Sequence, residues 1–265
     1  MKDLLKTAAR GAVIGGTMLI PGVSGGSMAM MMGIYDKLIL AVSHFRQDVK
    51  RHFCFLLCFC VGAGLGMLII ARPLLHLLEV FPYPTQFFFI GAVAGCVPMI
   101  YRKARPTGFS WHIPIYILIG AAAVALFNLA PAGQGGGMQG ALQPLYLAAA
   151  GVVSAAALVL PGISVSYLLL MLNLYDSTMA AISGLDIGFL LPLLIGLCIR
   201  IVLTTKLLDR LMSSHPRATY LIILGFMLAS VLEVFPGIPP ASQWLVCVVT
   251  LLSGFFVIYL VARRE

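Results

Sequence analysis

Two short stretches of the sequence combine a helix-breaking pair with small polar residues: IPGVSGGS at 20–27 and LPGISVSY at 160–167. Proline lacks a backbone donor and glycine tolerates turns, so each Pro-Gly pair interrupts a helix. A helix that restarts after the break presents unpaired N–H groups, which favour an anion together with nearby hydroxyls and the helix dipole. The expected chemistry is binding of an anionic group such as a phosphate. The alternative is that small residues merely allow close helix packing at a hairpin tip.

The two stretches differ at the positions that would face the anion. Val165 stands where the first stretch has Gly25, and a valine side chain obstructs access to the backbone. We therefore expect the first stretch to contact a phosphate more fully and the second to line the opposing side. The predicted breaks are Pro21, Gly22, Pro161 and Gly162; the predicted phosphate ligands are Ser24, Gly25, Gly26, Ser27, Ser164 and Ser166.

Three further features are candidates because they place polar or charged groups in apolar surroundings. The pairs Tyr35-Asp36 and Tyr175-Asp176 are expected to end the second limbs of two hairpins, as gates or coupling acids or as plain interface anchors. Arg200 lies inside LLIGLCIRIVL, where a charge is costly and often functional. It is a further candidate for the phosphate, although its side chain could instead extend to the membrane surface.

The composition is that of a membrane protein with several spans. The chain of 265 residues is 61% hydrophobic and 10% charged, whereas soluble domains carry roughly 25% charged residues. Its net charge of +8 comes from short basic clusters between apolar segments, which indicates cytoplasmic loops rather than nucleic-acid binding. The six cysteines lie within apolar runs without metal-ligand spacing. We predict neither a metal nor another cofactor.

The chain repeats itself once. A shift of 140 positions aligns the two Pro-Gly motifs and the two Tyr-Asp pairs, and a shift of 134 aligns Pro82 with Pro216 and Gly91 with Gly225. These matches predict a first repeat over 1–132, a glycine-rich joint at 133–140 and a second repeat over 141–265.

Each repeat is expected to contain a broken helical hairpin followed by three transmembrane helices, which makes the fold class all-α. As one helix, the 34 residues of 11–44 would measure about 51 Å, too long for one span of about 30 Å and too short for two. A re-entrant hairpin with both ends on one side fits this length. The predicted elements are hairpin 11–44 with helices at about 53–71, 86–101 and 112–130, and hairpin 143–183 with helices at about 188–206, 219–235 and 243–262.

The basic residues predict the orientation. With both termini in the cytoplasm and both hairpins re-entrant, 14 of the 17 Lys and Arg residues fall on the cytoplasmic side. Three full crossings in each repeat then insert the second repeat upside down relative to the first. Inverted repeats whose broken helices meet near the membrane centre are a recurrent transporter architecture.

The motifs resemble those of the PopT-type family of bacterial undecaprenyl (polyprenyl) phosphate translocases. The matching stretches are IPGVSGGSMAMMMGIYDKLI at 20–39, FFFIGAVAGCVPMI at 87–100, LVLPGISVSYLLLMLNLYD at 158–176 and TYLIILGFMLASVLEVFP at 219–236. Ser27 replaces the family's usual threonine, and Val165 replaces the expected glycine.

The resemblance implies a location in the bacterial inner (plasma) membrane. It also implies return of undecaprenyl phosphate, the lipid carrier of cell-wall synthesis, from the outer to the cytoplasmic leaflet. The competing function is that of a membrane phosphatase for polyprenyl pyrophosphate, but no acid cluster or histidine adjoins either motif. We predict a transporter rather than an enzyme. Membrane lipids surround it, and glycines such as those in VGAGLG at 61–66 would allow a homodimer.

Overall fold

The computed structural model describes residues 2–18, 23–105, 111–128, 142–163, 165–184 and 186–263. Within these ranges the regular structure is helical and contains no strand, which confirms the predicted all-α class. The helices before the joint are α1 (Lys2–Thr17), α2 (Gly25–Met31), α3 (Tyr35–Ser43), α4 (Val49–Ile69), α5 (Ala71–Val80), α6 (Pro82–Lys103) and α7 (His112–Asn128).

The helices after the joint follow the same order, except that one long helix stands where the first half has α4 and α5. They are α8 (Gln143–Val159), α9 (Val165–Met171), α10 (Tyr175–Gly184), α11 (Ile187–Ser214), α12 (Pro216–Val234) and α13 (Trp244–Arg263), the last preceded by a 3₁₀ turn at Ala241–Gln243.

Local sequence signals explain where the long helices begin. The Asp48 carboxylate accepts a hydrogen bond from the Arg51 N–H at the start of α4, and Asp186 accepts one from the Phe189 N–H at the start of α11. Helices α6 and α12 each begin with a proline, whose missing N–H costs nothing in the first turn.

Burial in this molecule is that of a membrane protein. Among the described residues, five helices are long and apolar enough to cross a bilayer: α4, α6, α11, α12 and the segment Ala241–Arg263. Helices α6 and α12 form the centre, with Cys96, Leu221 and Met227 fully buried. By contrast, α4, α11 and α13 expose many apolar side chains outward, as a lipid environment requires.

Glycines bring the helix backbones into contact. A Cβ at Gly62 would lie 2.1 Å from the Ala8 carbonyl oxygen, which joins α4 to α1, and one at Gly196 would lie 1.9 Å from that of Ala148, which joins α11 to α8. Such approaches need small residues, because van der Waals packing holds helices together in lipid. In the stretch 61–66, Gly62 and Gly66 are therefore used within the chain, and only Gly64 faces open space.

The central contacts cross from one half of the sequence to the other. Gly91 of α6 packs on the Leu251 carbonyl of α13, and Gly225 of α12 packs on the Ile117 carbonyl of α7. The shift of 134 positions relates Gly91 to Gly225 and Ile117 to Leu251, so the two contacts are equivalent. The same shift relates the Thr85 hydroxyl, which donates to the Phe81 carbonyl at 2.7 Å, to that of Thr219, which donates to the His215 carbonyl at 2.9 Å.

The structure divides each hairpin more finely than the sequence indicated. Tyr35 and Tyr175 begin the helices α3 and α10 instead of ending a limb, so the expected position of the two Tyr-Asp pairs was wrong. The turn before each pair uses a left-handed residue, Gly33 with φ 65° and Asn173 with φ 55°, which ends the short helix α2 or α9. The amphipathic helix α5 was not predicted, and α11 continues to Ser214, beyond the expected end at 206.

Candidate functional site

The first motif lies between α1 and α2. Helix α1 ends at Thr17, whose hydroxyl donates to the Val13 carbonyl at 2.8 Å, and Pro21 and Gly22 lie outside the described residues. Ser24 has extended backbone angles (φ −82°, ψ 137°) and precedes α2, but its side chain makes no capping bond. The described chain is non-helical at Val23 and Ser24, and Gly25, Gly26 and Ser27 form the first turn of α2.

The second motif interrupts the chain between α8 and α9. Pro161 and Gly162 are buried, and Gly162 has φ +85°, while a Cβ there would lie 2.3 Å from the Phe226 carbonyl oxygen. Only glycine satisfies both conditions. Ser164 lies outside the described residues, and Ser166 belongs to the first turn of α9.

The two motifs meet in the centre of the molecule. A Cβ at Gly26 would lie 3.1 Å from both the N and the Cα atoms of Pro161, so the first turn of α2 touches the backbone of the second break. Beside them the buried Tyr35 hydroxyl donates to the Val159 carbonyl at 3.0 Å, which ties α3 to the end of α8. Residues more than 120 positions apart in the sequence therefore share one site.

Two hydroxyl groups in the first motif are buried without a hydrogen bond. Ser24 is 5% exposed and Ser27 is 2% exposed, and neither Oγ finds a partner within the described part of the chain. A buried polar group without a partner costs free energy and is uncommon in folded proteins. Both hydroxyls thus retain their capacity to bind a polar group that enters the site.

A cavity of about 220 Å³ adjoins the glycines of this motif. Gly25, Gly26, Met18, Tyr35 and Thr205 line it together with apolar side chains from α1, α3, α4, α8 and α11, while Ser24 and Ser27 do not. Its hydroxyls are already bonded to the backbone, since Thr205 donates to the Ile201 carbonyl at 2.8 Å. The cavity therefore suits an apolar chain, and the open hydroxyls lie outside its wall.

The two Tyr-Asp pairs have different surroundings. Asp36 forms an ion pair with Lys103, with Oδ2 and Nζ 2.5 Å apart, and Lys103 Nζ lies 5.9 Å from the centre of the Tyr220 ring. This contact joins the start of α3 to the end of α6 and to α12. Asp176 is exposed and forms no ion pair with a described residue, and Tyr175 is half-buried.

Arg200 is not part of the central site. It lines a separate groove of about 660 Å³ between α8, α11 and α12, together with Thr204 and His215, whereas Ile201 and Thr205 face the central cavity. The structure thus brings the two motifs and Tyr35 together and leaves Arg200 and Asp176 apart from them.

Sequence reasoning missed Lys103 and Thr204. Lys103 was assigned to a cytoplasmic basic cluster, and its partner Asp36 lies 67 positions away, so no local signal could reveal the pair. The TT pair at 204–205 in an apolar helix was a usable signal for Thr204. In the ranges that the structure describes, no group of His, Cys, Asp or Glu could hold a metal ion.

Comparison with known proteins gives two kinds of match. The model of the family described as undecaprenyl phosphate translocase-like matches residues 14–246. A polyprenyl-phosphate transporter of Staphylococcus aureus is 31% identical over 265 residues, covering 94% of this chain and 92% of its own length. One of Vibrio cholerae is 26% identical over 251 residues, covering 88% and 78%. No solved structure matches significantly.

Proposed function

Since this chain belongs to the undecaprenyl phosphate translocase-like family, we propose that it returns undecaprenyl phosphate from the outer to the cytoplasmic leaflet of the bacterial plasma membrane by alternating access. The observation that carries this proposal is the contact between the two interrupted motifs, Gly26 against Pro161, beside hydroxyls that lack partners. A non-helical backbone at membrane depth is tolerated only against protein or a polar cavity.

The phosphate would be held by the first motif. The Ser24 and Ser27 hydroxyls and the N–H groups of Gly25 and Gly26 donate to its oxygens, and Ser164 and Ser166 line the opposing half. Without such donors the head would cross the hydrocarbon as an unpaired ion, which is very costly. The prenyl chain is apolar and remains in lipid, with its first units beside the apolar cavity at Gly25 and Tyr35.

Alternating access follows from two inverted repeats, 1–132 and 141–265, joined by 133–140. This arrangement is supported by the contacts Gly91–Leu251 and Gly225–Ile117, which the shift of 134 positions relates to each other. In both contacts, a helix of one repeat packs against a helix of the other repeat. Each repeat contributes a re-entrant hairpin. Rocking of one repeat against the other would expose the shared site first to the outer and then to the cytoplasmic side.

The Asp36–Lys103 pair and the Tyr35–Val159 hydrogen bond would act as the gate at one end of this path. Both contacts hold α3 against other elements, and the ion pair is about one-third exposed, with side-chain exposures of 37% for Asp36 and 29% for Lys103. An ion pair of that exposure contributes only about 0.2–1 kcal/mol. The ion pair of the gate can therefore open at small cost during each cycle.

The proposal is tested in vesicles that contain the purified protein and undecaprenyl phosphate. A membrane-impermeant phosphatase added outside removes the phosphate from outward-facing lipid, and slow hydrolysis of the remaining pool measures transport. We expect the protein to accelerate this second phase for undecaprenyl phosphate and to leave phosphatidylglycerol unaffected. The same protein should release no phosphate from undecaprenyl pyrophosphate, and release there would support the phosphatase instead.

The matched variants are Gly25→Val and Gly64→Val. The three atoms nearest to a Cβ at Gly25 belong to the flexible side chain of Met18, at 2.9–3.2 Å, so we expect the fold to be retained while the backbone donors are shielded. Gly64 faces open space on α4 and serves as the control. Gly25→Val should lower transport at least about tenfold, the equivalent of one lost charge-assisted hydrogen bond. Equal rates for the two variants would contradict the phosphate site.

A further inference from the structure

The groove between α8, α11 and α12 is an amphipathic channel that the central site does not include. Arg200 and Thr204 lie at its inner end and His215 at the junction of α11 and α12, about 22 Å away along α11 at 1.5 Å per residue. Between these ends the walls are apolar, with Leu203 and Leu207 exposed at 55% and 56%. Leu160, which directly precedes the second break at Pro161, belongs to the same wall.

Two polar side chains of the groove, Arg200 and Thr204, make no ion pair or side-chain hydrogen bond with the described residues. The Arg200 side chain is exposed and forms no ion pair with any residue in the described ranges. Thr204 is 8% exposed, and its Oγ1 has no hydrogen-bond partner there, whereas the Thr219 hydroxyl is bonded to backbone carbonyls. On a helix, positions 200 and 204 lie on one face, one turn apart. A guanidinium and a free hydroxyl thus face the same space.

The first half of the chain provides an internal comparison. By the shifts of 134 and 140 positions, Gly66 and Ile70 correspond to Arg200 and Thr204, and Gly16 corresponds to Ala156. There a Cβ at Gly16 would lie 2.6 Å from Ile70 Cβ, so α1 and α4 stay in contact where α8 and α11 leave a groove. The guanidinium and the hydroxyl are therefore particular to the second half, because a glycine and an isoleucine occupy the equivalent positions of the first.

We propose that this groove is a second binding site for the same lipid, in which Arg200 and Thr204 hold the phosphate and the apolar walls hold the first prenyl units. The inference rests on the proposed function, which supplies the lipid. A cation that faces an apolar groove fits a lipid with an anionic head, because the guanidinium pairs with the head and the apolar walls contact the chain; the proposed function supplies one such lipid, a phosphate monoester. The groove leads from the second break toward the α11–α12 junction, so it is the path by which the head leaves the central site.

The test measures lipid binding to purified protein by native mass spectrometry, with undecaprenyl phosphate, undecaprenol and phosphatidylglycerol as probes. Arg200→Gln should lower the affinity for undecaprenyl phosphate about tenfold, since a hydrogen bond to a charged group is lost. Arg200→Gln should leave undecaprenol binding unchanged, and Arg200→Lys should retain most of the affinity for the phosphate lipid. Thr204→Val, which keeps the side-chain shape, should lower it roughly two- to fivefold.

The matched control is Lys206→Gln, which removes a cation from the same helix outside this groove and should change affinity less than about twofold. Equal affinities for Arg200→Gln and Lys206→Gln would overturn the inference. Equally strong competition by phosphatidylglycerol would also overturn it, because the groove would then be a general anionic-lipid site.

Transport by the wild type is measured separately in the vesicle assay. If the wild type transports the lipid and Arg200→Gln binds it with normal affinity, the groove is not a lipid site, and the proposed function stands. If the wild type neither binds nor transports the lipid, both the groove site and the proposed function are contradicted.

Discussion

Ser24 and Ser27 are two of the five buried hydroxyl groups that have no hydrogen-bond partner in the part of the chain that the structure describes; the others are those of Ser154, Thr178 and Thr204. Six other buried serines and threonines in the described ranges donate to a carbonyl three or four residues earlier, as Ser230 does to Met227 at 2.8 Å. Ser24 and Ser27 make no such bond although both are buried. Because an unpaired buried hydroxyl destabilises the fold, its retention is consistent with a ligand that pairs with it only during transport.

Ser27→Ala should separate stability from function. Removing an unpaired buried hydroxyl should leave the melting temperature unchanged or raise it, while transport should fall about tenfold as one donor to the phosphate is lost. The control is Ser230→Ala, a serine that is 3% exposed and bonded within α12, where transport should be unchanged. Thermal unfolding and the vesicle assay measure the two quantities. A fall in stability without a fall in transport would assign Ser27 to packing.

At the scale of elements, glycine placement decides which helices pair. Along α4, Gly62 and Gly66 face the backbone of α1, whereas Gly64 between them faces outward. A helix turns by about 100° per residue, so neighbouring glycines of one stretch have different environments. The composition of 61–66 indicated close packing but not its partner, which is α1 of the same chain. The proposed homodimer therefore cannot use Gly62 or Gly66.

Gly62→Val and Gly64→Val should consequently differ in effect. At Gly62 the added side chain meets the Ala8 carbonyl oxygen at 2.1 Å, so α1 and α4 must separate, at a cost of roughly 1–3 kcal/mol or more. At Gly64 no atom lies within 4 Å, and the protein should remain folded. Fluorescence-detected size-exclusion chromatography after a heating series measures the difference. Similar melting temperatures would mean that the α1–α4 contact contributes little.

At the scale of the whole molecule, the two halves are interlocked and do not simply stand side by side. Gly91 and Gly95 of α6 pack on α13, and Gly120 of α7 packs on α12. Helices of each half are therefore packed against helices of the other half. The Tyr35–Val159 hydrogen bond and the contact of Gly26 with Pro161 add cross-half links at the proposed site. Neither half alone can bury the glycine-bearing faces of α6, α7 and α12.

Splitting the chain within the joint, after Gly136, tests this interlocking. Fragments 1–136 and 137–265 produced together should assemble into a complex that co-purifies and transports the lipid, because the contacts that interlock the halves are made by helices on either side of the joint. Each fragment produced alone should aggregate or be degraded, since its packing faces would have no partner. Co-purification through a tag on one fragment measures assembly. A stable, monodisperse single fragment would contradict the exchange of helices.

The sequence by itself determined the class of protein and the repeated motifs, because both depend on local properties. Apolar runs reveal membrane helices, Pro-Gly pairs reveal breaks, and a repeat is visible as a shift along the chain. The family resemblance was confirmed for the same reason, since the motifs that carry it are contiguous. The fine division of the hairpins was missed because the turns at Gly33 and Asn173 depend on backbone angles that no local apolar pattern reveals.

Only the tertiary structure decided which residues share a site. The distances between Gly26 and Pro161, Tyr35 and Val159, or Asp36 and Lys103 are set by helix packing, and these pairs lie 135, 124 and 67 positions apart. The structure likewise separated Arg200 from the central motifs, because adjacent positions of one helix face different cavities. Residue types determine which chemistry is available, and packing determines which groups remain unpaired to perform it.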